Sequence, residues 1–315
     1  MAAGAHSTSE GPAAERPLLA PWLRRTRSRD GRLVLEYGDE IVVLGGERAL
    51  ALLDGVLPLL DGTRTAAAVA AELGSSEPIV ESIVDELRAS GLVVSGPAAG
   101  ETALLCAGLA HDSHPREIER HLETATVAVV GESTCAEELI RLLEPGVGEV
   151  ERIGWDALPD ADVTAVAPAP SELPRLELWN ERLLEHGLPW LQLLPFNGRF
   201  AALGPLFVPG ETCCEHCYRL RRGGALGEPE LLAELDRVPA TYPQPQPLAA
   251  AMAGLAATLL TRWIATREAA LPGVLFALEL GDGLRIDSHR VLRVPRCPAC
   301  SQASAVAAPL PWSNA

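Results

Sequence analysis

From Pro21 onward the chain sets short apolar runs between turn-forming residues. PWLRRTRS, then RLVLEY from Arg32, then EIVVL from Glu40 are β-prone runs parted by Arg29-Asp30-Gly31 and Gly38-Asp39, a pattern that predicts a small antiparallel meander. The period then lengthens to that of a helix. Three helices are predicted, over residues 47–60, 65–73 and 77–90, the last with Ile79, Val80, Ile83, Val84 and Leu87 along one face. Ser75 and Ser76 offer it an N-cap, Gly91 a stop, and Asp61-Gly62-Thr63 makes the turn between the first two helices. Residues 1–19 are rich in Ala, Gly, Ser, Glu and Pro without apolar periodicity, and are expected to be a disordered lead-in.

Gly96-Pro97-Ala98-Ala99-Gly100 opens a linker over residues 96–123 that ends in a short helix from Pro115 to Glu123. ATVAVVGESTCAEELIRLLEPG follows, an apolar strand, a glycine and an amphipathic helix, as in the first unit of a dinucleotide-type fold. EVERIGWD, ADVTAVAPA and LWNERLLEHGLPWLQLLPF continue an alternation of strand and helix that predicts a parallel sheet. A phosphate-cradling loop needs several glycines, and here Gly131 stands alone with the carboxylate of Glu132 beside it, so no nucleotide is expected. The segment from Pro247 to Glu268 reads as a core helix, apolar nearly all round. The strands after it turn at Gly281-Asp282-Gly283.

At 315 residues the chain is long enough for about two domains. Its net charge of −16 argues against nucleic acid, which needs clustered basic side chains. The third helix repeats that sign, carrying Glu77, Glu81, Asp85 and Glu86 against Arg88. No basic start leads into an apolar core, and Arg, Glu, Pro or Gly interrupts each apolar stretch short of the roughly eighteen residues of a span. A soluble, cytoplasmic protein is the expectation, with no membrane partner. The chain contains no lysine, which removes mechanisms that need an amine. Arg24, Arg25, Arg27 and Arg29 make the meander locally basic.

Two resemblances are specific enough to name families. LLDGTRTAAAVAAEL followed by VDELRASGLV resembles the PqqD-type module, a winged-helix-like element that recognises ribosomally made, post-translationally modified peptides. The resemblance covers residues 20–95. It implies that the precursor's leader adds as a strand to an edge such as Glu40, Ile41, Val42, Val43 and Leu44, and packs against Val80, Ile83, Val84 and Leu87 of the third helix. Residues 124–302, within a second domain expected over 124–315, carry the second resemblance, on PWLQLLPFNGRFAALGPLFVPGETCCEHC. This segment is similar to ThiF-like, ubiquitin-activating-enzyme-like adenylyltransferases, with an Asn197-Gly198 turn, Gly204-Pro205, Pro209-Gly210 and two distant Cys-x-x-Cys pairs.

The fold class expected is therefore α/β: a PqqD-like winged-helix α+β module followed by a ThiF-like, Rossmann-type domain with a structural zinc site. Cys214, Cys217, Cys297 and Cys300 would each supply a thiolate, filling all four positions of the ion and leaving none for chemistry. Cys213 competes with Cys214 for the first position, while Cys106 and Cys135 read as small buried hydrophobes. Active ThiF-like enzymes use a glycine loop, Arg, Lys and Asp. With one loop glycine and no lysine, the chain resembles the degenerate ThiF-like proteins of azole-forming bacteriocin clusters. That resemblance implies no catalytic residues of its own. It implies a role in binding a leader peptide and activating a separate YcaO-type cyclodehydratase that forms thiazoline and oxazoline rings, with no YcaO domain expected in this chain. An adenylyltransferase acting on a peptide or carrier-protein C terminus is the alternative. In ThiF-like folds an equivalent of the long helix lies at a dimer contact, so a homodimer is a further expectation.

Overall fold

The computed structural model describes residues 15–96, 100–109, 115–281 and 283–301. Most of the expected lead-in, the Pro97-Ala98-Ala99 part of the linker, Asp282 and everything after Ser301 lie outside the described residues. The chain divides into two compact units, Met1–Arg120 and His121–Ala315.

The first unit contains strands β1 (Arg16–Leu19), β2 (Arg24–Arg27), β3 (Leu33–Tyr37) and β4 (Glu40–Leu44). These are followed by helices α1 (Glu47–Val56), α2 (Ala66–Leu73) and α3 (Glu77–Ala89), strand β5 (Val93–Gly96) and helix α4 (Glu101–Leu109). β2, β3 and β4 form an antiparallel meander with β3 in the middle. Gly38 stands at φ 62 in the first central position of the two-residue turn between β3 and β4, the place a type II′ hairpin reserves for glycine. α2 is capped by the Thr65 hydroxyl, which accepts from the Ala68 N–H at 3.2 Å. Before it, Asp61 accepts from both the backbone N–H and the hydroxyl of Thr63, at 2.9 and 2.6 Å. The Thr63 hydroxyl, ahead of its backbone N–H and Arg64, holds the Asp61 carboxyl down at about 2. Leu33 and Leu35 of the meander, Leu53 and Val56 of α1, Val69 of α2, and Val80, Val84 and Leu87 of α3 close one buried cluster.

Two features of this unit depart from the sequence reading. Residues 16–19, expected to belong to the lead-in, form β1, which pairs antiparallel with β5, Arg16 opposite Gly96. Four residues carry no readable period, and their partner lies far along the chain. The linker also holds α4, an apolar helix ahead of the one that begins at Pro115.

The second unit follows α5 (Pro115–Thr124) with β6 (Thr126–Val130), α6 (Thr134–Leu143), β7 (Glu149–Ile153) and β8 (Val163–Val166). A 3-10 turn over Pro170–Arg175 then leads to α7 (Leu176–His186), β9 (Trp190–Leu194) and β10 (Phe200–Phe207). The remaining elements are α8 (Glu215–Leu226), α9 (Pro229–Leu235), α10 (Gln246–Thr266), β11 (Val274–Glu279) and β12 (Arg285–Arg290). They build one seven-stranded sheet in the order β12-β11-β10-β9-β8-β6-β7. β7, β6, β8 and β9 run parallel, and β10, β11 and β12 add antiparallel strands. Every residue of β8 is buried, as expected for a parallel strand covered on both faces. The alternation of strand and helix is incomplete: residues 154–162 join β7 to β8 without a helix.

α10 corrects a further expectation. Gly254 and Arg262 do not interrupt it enough, and an 18-residue window of mean hydropathy 1.5 makes it long and apolar enough to cross a membrane by length and composition alone. Ala249, Met252, Ala253, Ala256 and Leu260 are nonetheless buried within the unit, where the helix packs on α6 and on β9 and β10. Its small residues allow that close approach.

Candidate functional sites

Cys214 is the residue immediately before α8, and Cys217 lies in the helix's first turn. Cys297 and Cys300 come from the turns after β12. Their Sγ atoms all lie within 4.8 Å of one another, with Cys214–Cys217 and Cys214–Cys297 at 3.8 Å and Cys217–Cys300 at 3.5 Å. A zinc–sulfur bond of about 2.3 Å sets the edge of a tetrahedron of sulfurs at about 3.8 Å, so the four thiols are spaced to hold one such ion. The surrounding backbone keeps them there. Arg293 donates to the Gly210 and Cys300 carbonyls at 3.0 and 2.8 Å, tying the C-terminal pair to the segment before α8. The Val294 N–H points at Cys217 Sγ from 3.3 Å. The Cys214 thiol, which donates to Cys217 Sγ, and this N–H together hold the Cys217 thiol well below its ordinary range. Cys213 is buried beside the cluster but outside it, its thiol pushed up to about 12 by burial. Burial does the same to Cys135.

The turn from β6 to α6 is where a strand-turn-helix unit would receive a phosphate. Gly131 adopts φ +121, and a Cβ there would lie 2.1 Å from the Ala167 carbonyl oxygen. Close approach of the chain leaving β8 therefore accounts for the glycine. A protein carboxylate fills the seat: Glu172 accepts from the backbone N–H groups of Glu132 and Ala169, both at 2.8 Å, and from Trp155 Nε1 at 2.6 Å. Ser133 caps α6 through the Ala136 N–H. No sequence pattern announced Glu172, which sits forty positions away from the N–H it binds.

In the first unit a groove of about 480 Å³ runs between β4 and α3, lined by Val42, Leu44, Pro78, Ile79, Ile83 and Leu87 among others. Glu40, Ile41 and Val43 of the strand are exposed, while Val42 and Leu44 turn inward. Val80 and Val84 do not reach the groove. Both are core residues, because α3 buries the Val80–Val84–Leu87 row and leaves the neighbouring Ile79–Ile83 row at its rim. Ile79, 47% exposed, belongs to the groove although the sequence reading left it out of the peptide site. Its signal was the four-residue spacing to Ile83.

The ladder has a definite phase. Tyr37 and Glu40 flank a two-residue turn and so form a hydrogen-bonded pair, as do Leu35 with Val42 and Leu33 with Leu44. The alternate pairs, Glu36 with Ile41 and Val34 with Val43, are not bonded to each other, which aims the N–H and C=O of Ile41 and Val43 at the outer edge. Of the basic meander residues, Arg24 is paired with Glu36 and Arg27 with Asp54.

A mixed sheet with a parallel half, an antiparallel extension and a four-cysteine cluster is consistent with the ThiF-like fold. Solved structures share this fold. It is similar to the heterocyclase TruD with a TM-score of 0.69 and 23% identity, over 92% of this chain and 43% of that one. A heterocyclase in complex with substrate and cofactor matches with a TM-score of 0.68 and 20% identity, over 92% of this chain and 40% of that one. The microcin C7 biosynthetic enzyme MccB, in complex with N-formylated MccA, matches with a TM-score of 0.63 and 15% identity, over 90% of this chain and 99% of the enzyme. The chain thus spans less than half the length of the two heterocyclases. No protein-family profile matches the sequence. No curated protein matches it either.

Proposed function

We propose that the protein binds the leader of a ribosomally made precursor peptide and presents the precursor to a separate YcaO-type cyclodehydratase, which it activates. The observation that carries this reading is the apolar groove between β4 and α3, which lies beside a strand edge that is unpaired among the described residues. An added strand gains main-chain hydrogen bonds at the edge and side-chain pockets in the groove. The first unit is read as the PqqD-like winged-helix module. Similarity to TruD, and to MccB with its MccA peptide, supports a place in peptide modification. The proposal assigns the ATP-dependent ring closure to the partner, and places both proteins in the cytoplasm.

The second unit is the scaffold in this reading. One zinc ion on Cys214, Cys217, Cys297 and Cys300 fastens the C-terminal segment to α8, closed to chemistry because all four positions are protein thiolates. No nucleotide is assigned to the β6–α6 turn, since the Glu172 carboxylate already takes the Glu132 N–H of that turn and the facing Ala169 N–H after β8. Similarity to E. coli MccB with ATP, at a TM-score of 0.61, favours the alternative, an adenylyltransferase. The deciding experiment mixes the protein with a fluorescein-labelled precursor leader and measures anisotropy, then measures ring formation by a YcaO-type enzyme with and without it. Leader binding together with faster cyclisation is expected. ATP–pyrophosphate exchange by the protein alone, without leader binding, would favour the alternative.

A further inference from the structure

The second unit holds a cavity of about 390 Å³ between the β9–β10 face, the 3-10 turn before α7, and helices α8 and α9. Its walls are largely apolar, with Leu194, Phe200 and Leu232 among them. Gln192 opens into it from β9. This side chain is 1% exposed, and neither its Nε2 nor its Oε1 has a hydrogen-bond partner. Glu215, 2% exposed and lining the same cavity, has one carboxyl oxygen, Oε2, without a partner. Protein interiors pair nearly all such groups, and a buried amide open at both ends marks a place where something else supplies the partners.

The chemistry of that partner follows from what is already satisfied. Arg219 is held by Glu177 at 3.0 Å and by Asp236 at 3.2 Å, and Arg222 by Asp236 at 3.3 Å. Both arginines are thus engaged within the wall, and among the described residues that line the cavity no free cation is left for an acid. What remains open is a donor and an acceptor side by side on Gln192, with Glu215 Oε2 as one further polar atom in the same wall. An amide complements that pair, its C=O accepting from Nε2 and its N–H donating to Oε1. Leu235 and Val238 at the mouth are exposed, Leu235 by 67%, and give an apolar group a surface to cover.

We infer that this cavity binds an uncharged amide bearing an aliphatic group, seated on Gln192 with its apolar part against Leu232, Leu235 and Val238. The inference does not rest on the leader-binding reading, which concerns a different groove in the other unit. A peptide segment and a free small amide share this chemistry.

The test uses the full chain, isotopically labelled, and N-acetyl-leucine amide as the probe, followed through the Gln192 side-chain amide and the Leu232 methyl signals by NMR. Millimolar binding is expected for so small a ligand. It should weaken about tenfold or more in Gln192→Leu, which removes both hydrogen bonds. Leu235→Asp, at an exposed position that leaves the core intact, should weaken it independently. N-acetyl-leucine, whose carboxylate finds no free cation, should bind several-fold less tightly. Tighter binding of a blocked Leu-Ala tetrapeptide than of the amide assigns the site to a chain segment, and equal or weaker binding to a small molecule. An absence of shifts at these signals, with water alone meeting Gln192, overturns the inference. So does equal affinity for the acid, or affinity unchanged in Gln192→Leu.

Discussion

Replacing Val43 by proline removes one N–H from the outer edge of β4 and leaves the β3–β4 ladder whole, since that N–H points away from β3. If the leader adds as a strand there, its facing carbonyl loses a donor beside an apolar groove. The net loss of one hydrogen bond is about 1 kcal/mol, rising to about 3 kcal/mol when the orphaned acceptor stays buried, which weakens binding roughly 5- to 150-fold. The companion substitution, Val42→Pro, removes the N–H that faces Leu35 inside the ladder, so it should lower thermal stability and reduce binding only through unfolding. Fluorescence anisotropy with labelled leader, paired with thermal melts followed by circular dichroism, separates the two effects. Wild-type affinity in folded Val43→Pro would refute edge pairing. Weakened binding in a fully stable Val42→Pro would refute the assigned phase.

The two rows of α3 should separate in the same assay. Val84→Asp places an unpaired charge in the core and should cost about 3 kcal/mol or more of stability, whereas Ile79→Asp, at the groove rim, should leave the melt unchanged and weaken leader binding. Elemental analysis should find about one zinc per chain, and Cys300→Ser should lower both zinc content and folded yield; a metal-free wild type of full stability would end the zinc assignment. Calorimetry should detect no ATP binding by the wild type, and Glu172→Gln, which removes the negative charge at the β6–α6 turn, should lower thermal stability, a melt equal to wild type counting against Glu172 as the group that fills the seat. The folded-state pKa of Asp61 is depressed, so the stability it contributes is present above its unfolded value near 3.8 and is lost as pH falls toward about 2. The stability gap between wild type and Asp61→Ala, read from denaturant melts, should close over that window.

The meander, the three helices after it, the apolar strand before Gly131 and the two cysteine pairs were legible because each is local: a period, a cap, a turn or a fixed spacing. Tertiary contact decided the rest. Residues 16–19 became a strand only by meeting residues 93–96, a pairing with no trace in either segment alone. The periodic face of α3 could be read, but its division into a buried row and a rim row depends on where β3 and β4 pack against it, so Val80 and Val84 lie in the core and Ile79 at the groove rim. Gly131 looked like the remnant of a phosphate loop, and the approach of Ala167 gave it another reason to be glycine. The sequence by itself determined which residues could ligate a metal, pair as strands or line a helix face, because those properties belong to side-chain type and spacing. Glu172 in the anion seat, Gln192 unpaired in its cavity and the convergence of four distant sulfurs were decided by the tertiary structure, because burial and partnership arise only when remote segments share the same space.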